Sequence, residues 1–306
     1  MLSLFRIVTI GRNTLLEAVR QKVLNVLLIF SLVLVGCSVQ VSQLATPGLD
    51  ASGMFDAQIK FVKDFGCGSI GLFGFMIILW STAQLIPQEL HNRTIYTILA
   101  KPVRRSEFLL GKFFGVVLLL ALCVTLMSIV FAATLYVQQV LGIQATADSY
   151  AAAPNWRANA AAVASYNHDV AGIVRQVQDP QLIVAIALIF AKLTMTAGIA
   201  LLISTFATSS IFTIITTFFI YLIGHIEGTA RDYWLSHGAG SSLLENGVIA
   251  LVTILIPDMN SFTIVDEILA GNHVPLAHAI SLIGYANIYL VVLLAVSVVI
   301  FNYREI

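Results

Sequence analysis

The sequence predicts an all-α, polytopic membrane protein with six transmembrane helices, an N-terminal interfacial helix and a short cytoplasmic helix between two spans. Three observations predict it. The 306 residues are 58% hydrophobic and only 10% charged, where soluble domains carry about 25% charged residues. Mean hydropathy is +0.92. Six apolar stretches also approach or exceed the roughly 20 residues that a helix needs to cross a bilayer.

The elements follow in chain order, as one domain over residues 1–306. Residues 1–22 read as an amphipathic helix at the membrane surface. Leu4, Val8, Gly11, Leu15 and Ala18 lie on one face, and Arg12, Arg20 and Lys22 reach toward lipid headgroups. The first span is expected at about 23–44. Residues 54–65 suggest a second interfacial helix, on the outer side, turning Phe55, Ile59 and Val62 to lipid. Spans two and three fall at about 67–86 and 109–139. The apolar pattern of the third runs from Glu107 to Val140, about 50 Å at 1.5 Å per residue, so it must tilt, kink or project. Residues 141–180 are Ala-rich and suit one or two helices of an external cap. Spans four and five are expected at about 181–206 and 208–227, and the sixth at about 280–301. Between the last two, residues 228–279 carry Gly, Pro and short apolar pieces of gate-like character. The run Val248–Ile256 is too short to span.

Lys and Arg orient the chain. With the N-terminus inside, the inner side holds Arg6, Arg12, Arg20, Lys22, Arg93, Lys101, Arg104, Arg105, Lys112 and Arg304. The outer side holds half as many: Lys60, Lys63, Arg157, Arg175 and Arg231. Six spans return the C-terminus to the cytoplasm, where Arg304 belongs. A charged start without a short apolar core before a cleavage site gives no sign of a removable leader.

The densest positive stretch is "PQELHNRTIYTILAKPVRRSEFLLGKFFG", residues 87–115. Pro87 suits a first helical turn. Glu89, Asn92, Arg93 and Tyr96 then share one face, with Glu89 and Arg93 in the favourable i, i+4 order. Pro102 disfavours helix at Lys101 and turns the chain. Ser106 is expected to cap the next helix, with Glu107 in its first turn. The product is a rigid charged knob, either a topology signal touching anionic lipid or a docking element for a cytoplasmic partner. Gly111 and Gly115 form a GxxxG at the start of the third span, and Gly68, Gly71 and Gly74 line the second. Small residues allow close helix approach, within the bundle or at a dimer seam. Lys192 falls inside the fourth span, where a charge is costly and faces protein or water. It is a candidate for the translocation path, or else a structural or snorkelling lysine. By depth, Glu227 is its nearest conceivable partner, about half a membrane away.

Several chemistries are excluded. The closest approach to a phosphate-binding loop, "SEFLLGKF" at 106–113, has Ser106 where glycine is required and Phe113 where a hydroxyl must hold magnesium. The six histidines are dispersed, and Cys37, Cys67 and Cys123 show no metal or disulfide spacing. Neither a nucleophile elbow nor the basic footprint of a nucleic-acid binder is present. No catalytic residue, metal ligand or resident cofactor is expected.

"RTIYTILAKPVRRSEFLLGKFFG" resembles the cytoplasmic segment between the second and third helices of type-2 ABC transporter permeases. "TLLEAVRQKVL" at 14–24 resembles the pattern before their first span. "IPDMNSFTIVDEILAGNHVP" and "GYANIYLVVLLAVSVVIFNYREI" are similar to their outer loop and last helix. The branch resembled includes permeases of nitrous-oxide reductase maturation and gliding motility. The resemblance implies an exporter subunit in the bacterial cytoplasmic membrane, both termini inside. It also implies a second permease subunit, identical or paralogous, and a cytoplasmic ABC ATPase that binds ATP and magnesium. It makes residues 87–108 the coupling segment, with Glu89, Arg93, Lys101, Arg104 and Arg105 as ATPase contacts. The alternatives are a membrane scaffold recruiting an ATPase or envelope enzyme, and a secondary transporter, though the inverted repeats of the latter are not evident.

Overall fold

The computed structural model describes residues 2–45, 51–83, 85, 104–152, 155–237 and 257–303. Over these residues the chain is an all-α membrane protein. Its helices are α1 (Leu2–Val19), α2 (Lys22–Ala45), α3 (Ala51–Ala83), α4 (Arg105–Ala151), α5 (Ala160–Val177), α6 (Gln181–Phe206), α7 (Ser210–His237), α8 (Ile264–Leu269) and α9 (Leu276–Tyr303). Five stretches are long and apolar enough to cross a bilayer: Lys22–Leu44, Phe55–Thr82, Arg105–Ala151, Ala160–Phe206 and Leu276–Tyr303. In α7 the apolar part is shorter, Ser210–Ile226. The expected knob residues Glu89, Arg93 and Lys101, and the apolar run 248–256, lie outside the described residues.

The core is organised around α6, which touches α3, α4, α7, α8 and α9. Ala185, Leu188, Leu193, Ala197 and Leu201 recur at helical spacing along it and are fully enclosed. The long third apolar segment neither breaks nor kinks into separate pieces. Its 47 residues form one helix, about 70 Å long at 1.5 Å per residue. That is more than twice a hydrocarbon core of roughly 30 Å, so α4 projects. At its far end α5 folds back against it, and Tyr150, Trp156 and Tyr166 pack their rings together. The Tyr150 hydroxyl donates to Asp169 at 2.9 Å.

Two expectations are corrected. Residues 54–65 are not a separate lipid-facing helix but the first turns of α3, and Ile59 and Val62 are enclosed by protein. The reason is a stripe that continues at helical spacing through Gly66 and Ile70. Gly66 receives the Phe131 ring of α4. The expected face of α1 is also split. Gly11 and Ala18 are buried, whereas Leu4 is 69% and Val8 51% exposed. What α1 buries is a strip of small residues, Gly11, Thr14 and Ala18, while Leu4, Phe5, Val8, Leu16 and Val19 point out.

That inward strip explains the GxxxG of α4. The two helices run in the same chain direction, with Ile10 against Gly111 and both Gly11 and Thr14 against Gly115. A methyl placed on Gly115 would stand 2.6 Å from Thr14 Cβ and 2.7 Å from the Gly11 carbonyl. Charged contacts flank the seam: Arg6 reaches Glu107 at 3.5 Å and Lys112 reaches Glu17 at 3.8 Å. Gly111 and Gly115 therefore seat the N-terminal helix of their own chain.

Candidate functional site

A cavity of about 460 Å³ opens between α3, α6, α7 and the segment 262–270. Each wall has a local origin. On α3, Lys60, Asp64, Gly68 and Gly71 line the cavity, spaced four, four and three apart, so they form one stripe. The eleven steps from Lys60 to Gly71 descend about 16 Å at 1.5 Å per residue. At Gly68 and Gly71 nothing lies within 4 Å of where a Cβ would sit, so the bare helix backbone forms the wall. Gly74, one turn deeper, is different: a side chain there would strike Leu193 of α6. Of the three glycines expected to serve helix packing, Gly74 packs and the other two shape a void.

The opposite wall rests on a built plug. Asp258 starts it, accepting from the backbone N–H groups of Asn260 at 2.9 Å and Ser261 at 3.1 Å. This local carboxylate turn nucleates the short 3-10 helix Asn260–Thr263 that leads into α8. Met259 donates its N–H to the Gly224 carbonyl of α7 at 3.0 Å. A methyl on Gly224 would lie 2.9 Å from the Pro257 carbonyl, so only glycine admits the plug so close. Met259, Phe262 and Ile268 are buried beneath it. Gly271, with φ of 87°, ends α8 in the left-handed region. Asn272 N–H then returns to the Glu267 carbonyl at 3.1 Å, the Schellman closure. Gln181 at the start of α6 pins the other side, its amide accepting from Val274 N–H at 3.2 Å.

Lys192 lines this cavity, and among the described side chains its partner is His225; the side chain of Glu227 lies outside them. The ammonium Nζ stands 2.7 Å from His225 Nε2. His225 Nδ1 is 2.9 Å from the Tyr221 carbonyl, which only accepts. Nδ1 therefore carries the ring proton, Nε2 presents its lone pair, and the ammonium donates to a neutral imidazole. Nζ also stands 5.7 Å from the Tyr221 ring centroid, a cation–π contact. Phe75 stacks on the same ring, with centroids 3.9 Å apart. Among the described residues no carboxylate lies within 4 Å of Lys192. The fifth span, expected to end at about 227, would set His225 at the outer interface. The helix instead continues to His237, which leaves His225 some turns short of its end and level with Lys192.

At the other end of the bundle, Arg104 is the N-cap of α4 and is exposed. Ser106 is not the cap; it sits inside the first turn. Glu107 takes the capping role instead, its buried carboxylate accepting from Arg104 N–H at 3.4 Å while it holds Arg6. Arg105 donates to the carbonyls of Phe301 at 3.4 Å and Asn302 at 3.3 Å, in the last turn of α9. A cation there meets the negative end of the helix dipole. The start of α4 is thus tied to α1 and α9 at once.

The profile of the ABC-2 family transporter proteins matches residues 8–306. The chain belongs to that family. No curated protein matches it. As an ABC-2 family member it is the multi-pass membrane permease subunit of an ABC transporter, a family that works with a cytoplasmic ABC ATPase and is not itself the ATPase. Within this permease the residues at the base of α4 and the lysine cavity are the two places where charge, burial and connectivity converge. Sequence singled out Lys192, Arg104 and Arg105 individually. It missed the cavity, whose only linear trace is the Lys60, Asp64, Gly68, Gly71 spacing on α3.

Proposed function

We propose that this permease is half of an exporter, paired with a second copy or a paralogue in the bacterial cytoplasmic membrane, both termini inside. A separate ATPase holding ATP and magnesium grips residues 87–108 and drives substrate outward past Lys192. The observation that carries this reading is the three-way tie at the base of α4. Within the last residues of the gripped segment, Glu107 fastens α4 to α1 through Arg6 and Arg105 fastens it to α9. A push on 87–103 is therefore shared by three helices rather than absorbed by a loop. The twofold excess of Lys and Arg on the inner side supports the orientation. The cavity supports the path: it is of ligand size, for which about 300–1,000 Å³ is usual, and it holds a lysine that apolar surroundings make costly.

The test is charge reversal at Arg93 and Arg104 in the reconstituted complex. Arg93→Glu with Arg104→Glu should leave insertion and ATPase association measurable while substrate-stimulated hydrolysis falls at least tenfold. Arg105 is left intact, because its loss would loosen α9 and confuse the outcome. Full stimulation in the double variant would rule out the grip at 87–108.

A further inference from the structure

The charges of the cavity are separated along its length. Near the mouth stand Lys60, Asp64 and Asp266, all exposed. Lys60 and Asp64 are four residues apart on one face of α3, and Lys60 is the strongest charge acting on Asp64. They offset each other, which leaves Asp266 in excess. The field of Asp266 reaches both Asp64 and Lys192, yet among the described residues neither Asp266 nor Lys192 has an ion-pair partner within 4 Å. Buried Lys63 lies behind the lining, where Asp179 is its strongest opposite charge; among the side chains that line the cavity, the mouth thus carries one net negative charge and the floor one net positive charge. His225 occupies one ammonium proton of Lys192, and the others remain for a ligand. Between the poles the wall is bare backbone at Gly68 and Gly71, faced by the apolar side chains of Ile189, Leu193 and Val265.

We propose that the cavity binds a zwitterion, its acidic group on Lys192 and its ammonium on Asp266. Such a ligand satisfies both poles at once. A simple anion would pair with Lys192 but leave Asp266 uncompensated at the mouth it must pass; a simple cation would meet Lys192 at the floor. The chemistry is that of an amine joined by a short linker to a phosphate or carboxylate. It is shared by free solutes and by the headgroups of zwitterionic lipids. The inference rests on reading the cavity as the substrate path.

The probes are radiolabelled phosphoethanolamine and dihexanoyl phosphatidylethanolamine, titrated by equilibrium dialysis. The permease–ATPase complex is held in nanodiscs of phosphatidylglycerol, which lacks the ammonium, and glycerol phosphate is the free anion-only control. Saturable binding of both probes, weakened at least tenfold by Lys192→Met and by Asp266→Asn and kept by Lys192→Arg, supports a free zwitterion. The same dependence for the lipid probe alone supports a headgroup source. Equal binding of glycerol phosphate, binding indifferent to both substitutions, or no saturable binding overturns the proposal. Where Lys192→Met does not fold, Gly71→Leu fills the open wall and must abolish probe binding; unchanged binding in that variant is equally fatal. ATPase association and its coupling are read on the same preparation. Intact coupling without probe binding removes the zwitterion and leaves the exporter reading standing, whereas loss of the ATPase removes that reading itself.

Discussion

Adding one methyl at Gly115 tests the seam between α1 and α4 by its sign. In an exposed helix interior, Gly→Ala stabilises by roughly 0.8–1 kcal/mol. At Gly115 the new Cβ would lie 2.7 Å from the Gly11 carbonyl and 2.6 Å from Thr14 Cβ, where ordinary contact begins at 3.4 Å. The Gly11 oxygen is backbone and cannot swing aside. The helices must therefore part by about 0.7 Å along that line, forfeiting a quarter or more of each close contact. Overpacking of this kind costs about 1–3 kcal/mol, which outweighs the propensity gain and leaves a net loss of about 1 kcal/mol. Gly115→Val should cost more. Thermal unfolding in detergent, followed by near-ultraviolet dichroism, reads the loss as a lowered Tm. Gly36→Ala and Gly284→Ala are the controls, since nothing lies within 4 Å of either added Cβ, and they should hold or raise Tm. If Gly115→Ala raised Tm as the controls do, α1 would not be seated on α4 through this glycine and the account of the seam would fail.

Other expectations follow from single contacts. Arg105→Ala removes two hydrogen bonds to the last carbonyls of α9; a loss of about 1–2 kcal/mol is expected from such half-exposed helix-end contacts, read as a lower unfolding midpoint with membrane insertion unchanged. His225→Leu deprives the Lys192 ammonium of its acceptor and should destabilise by about 1–3 kcal/mol, whereas His225→Gln, which keeps an acceptor oxygen, should recover most of it; equal effects would refute the donor assignment. Gly224→Ala would crowd Pro257 and Met259 and loosen the plug. With Cys37 and Cys123 replaced by serine, maleimide should then label Cys67, which is 2% exposed in the intact protein; unchanged protection would show that the plug does not cover the cavity.

The seam, the plug and the lysine pair were unequally legible in the chain. The GxxxG at Gly111 and Gly115 announced a close helix approach, but Gly11, Thr14 and Ala18 carried no signal strong enough to name the helix that approaches. The capping role of Glu107 was half visible, since an acid in a first turn is expected there, while Arg6 and the end of α9 are distant in sequence. Lys192 stood out because a charge among apolar residues is conspicuous. Its partner did not, because the depth of His225 depends on how far α7 continues beyond its apolar run.

Composition and span length fixed on their own that this is an all-α membrane protein, and the Lys and Arg distribution supplied an expected orientation. Both depend only on the transfer of side chains between water and lipid, which is additive along the chain. Helix partners, the cavity and the pole-to-pole separation of its charges were decided by tertiary structure alone. Lipid is as apolar as leucine, so hydrophobic periodicity does not mark which face of a spanning helix meets protein. Close packing, helix length and a few buried polar contacts make that choice, and they act between residues that the sequence keeps far apart.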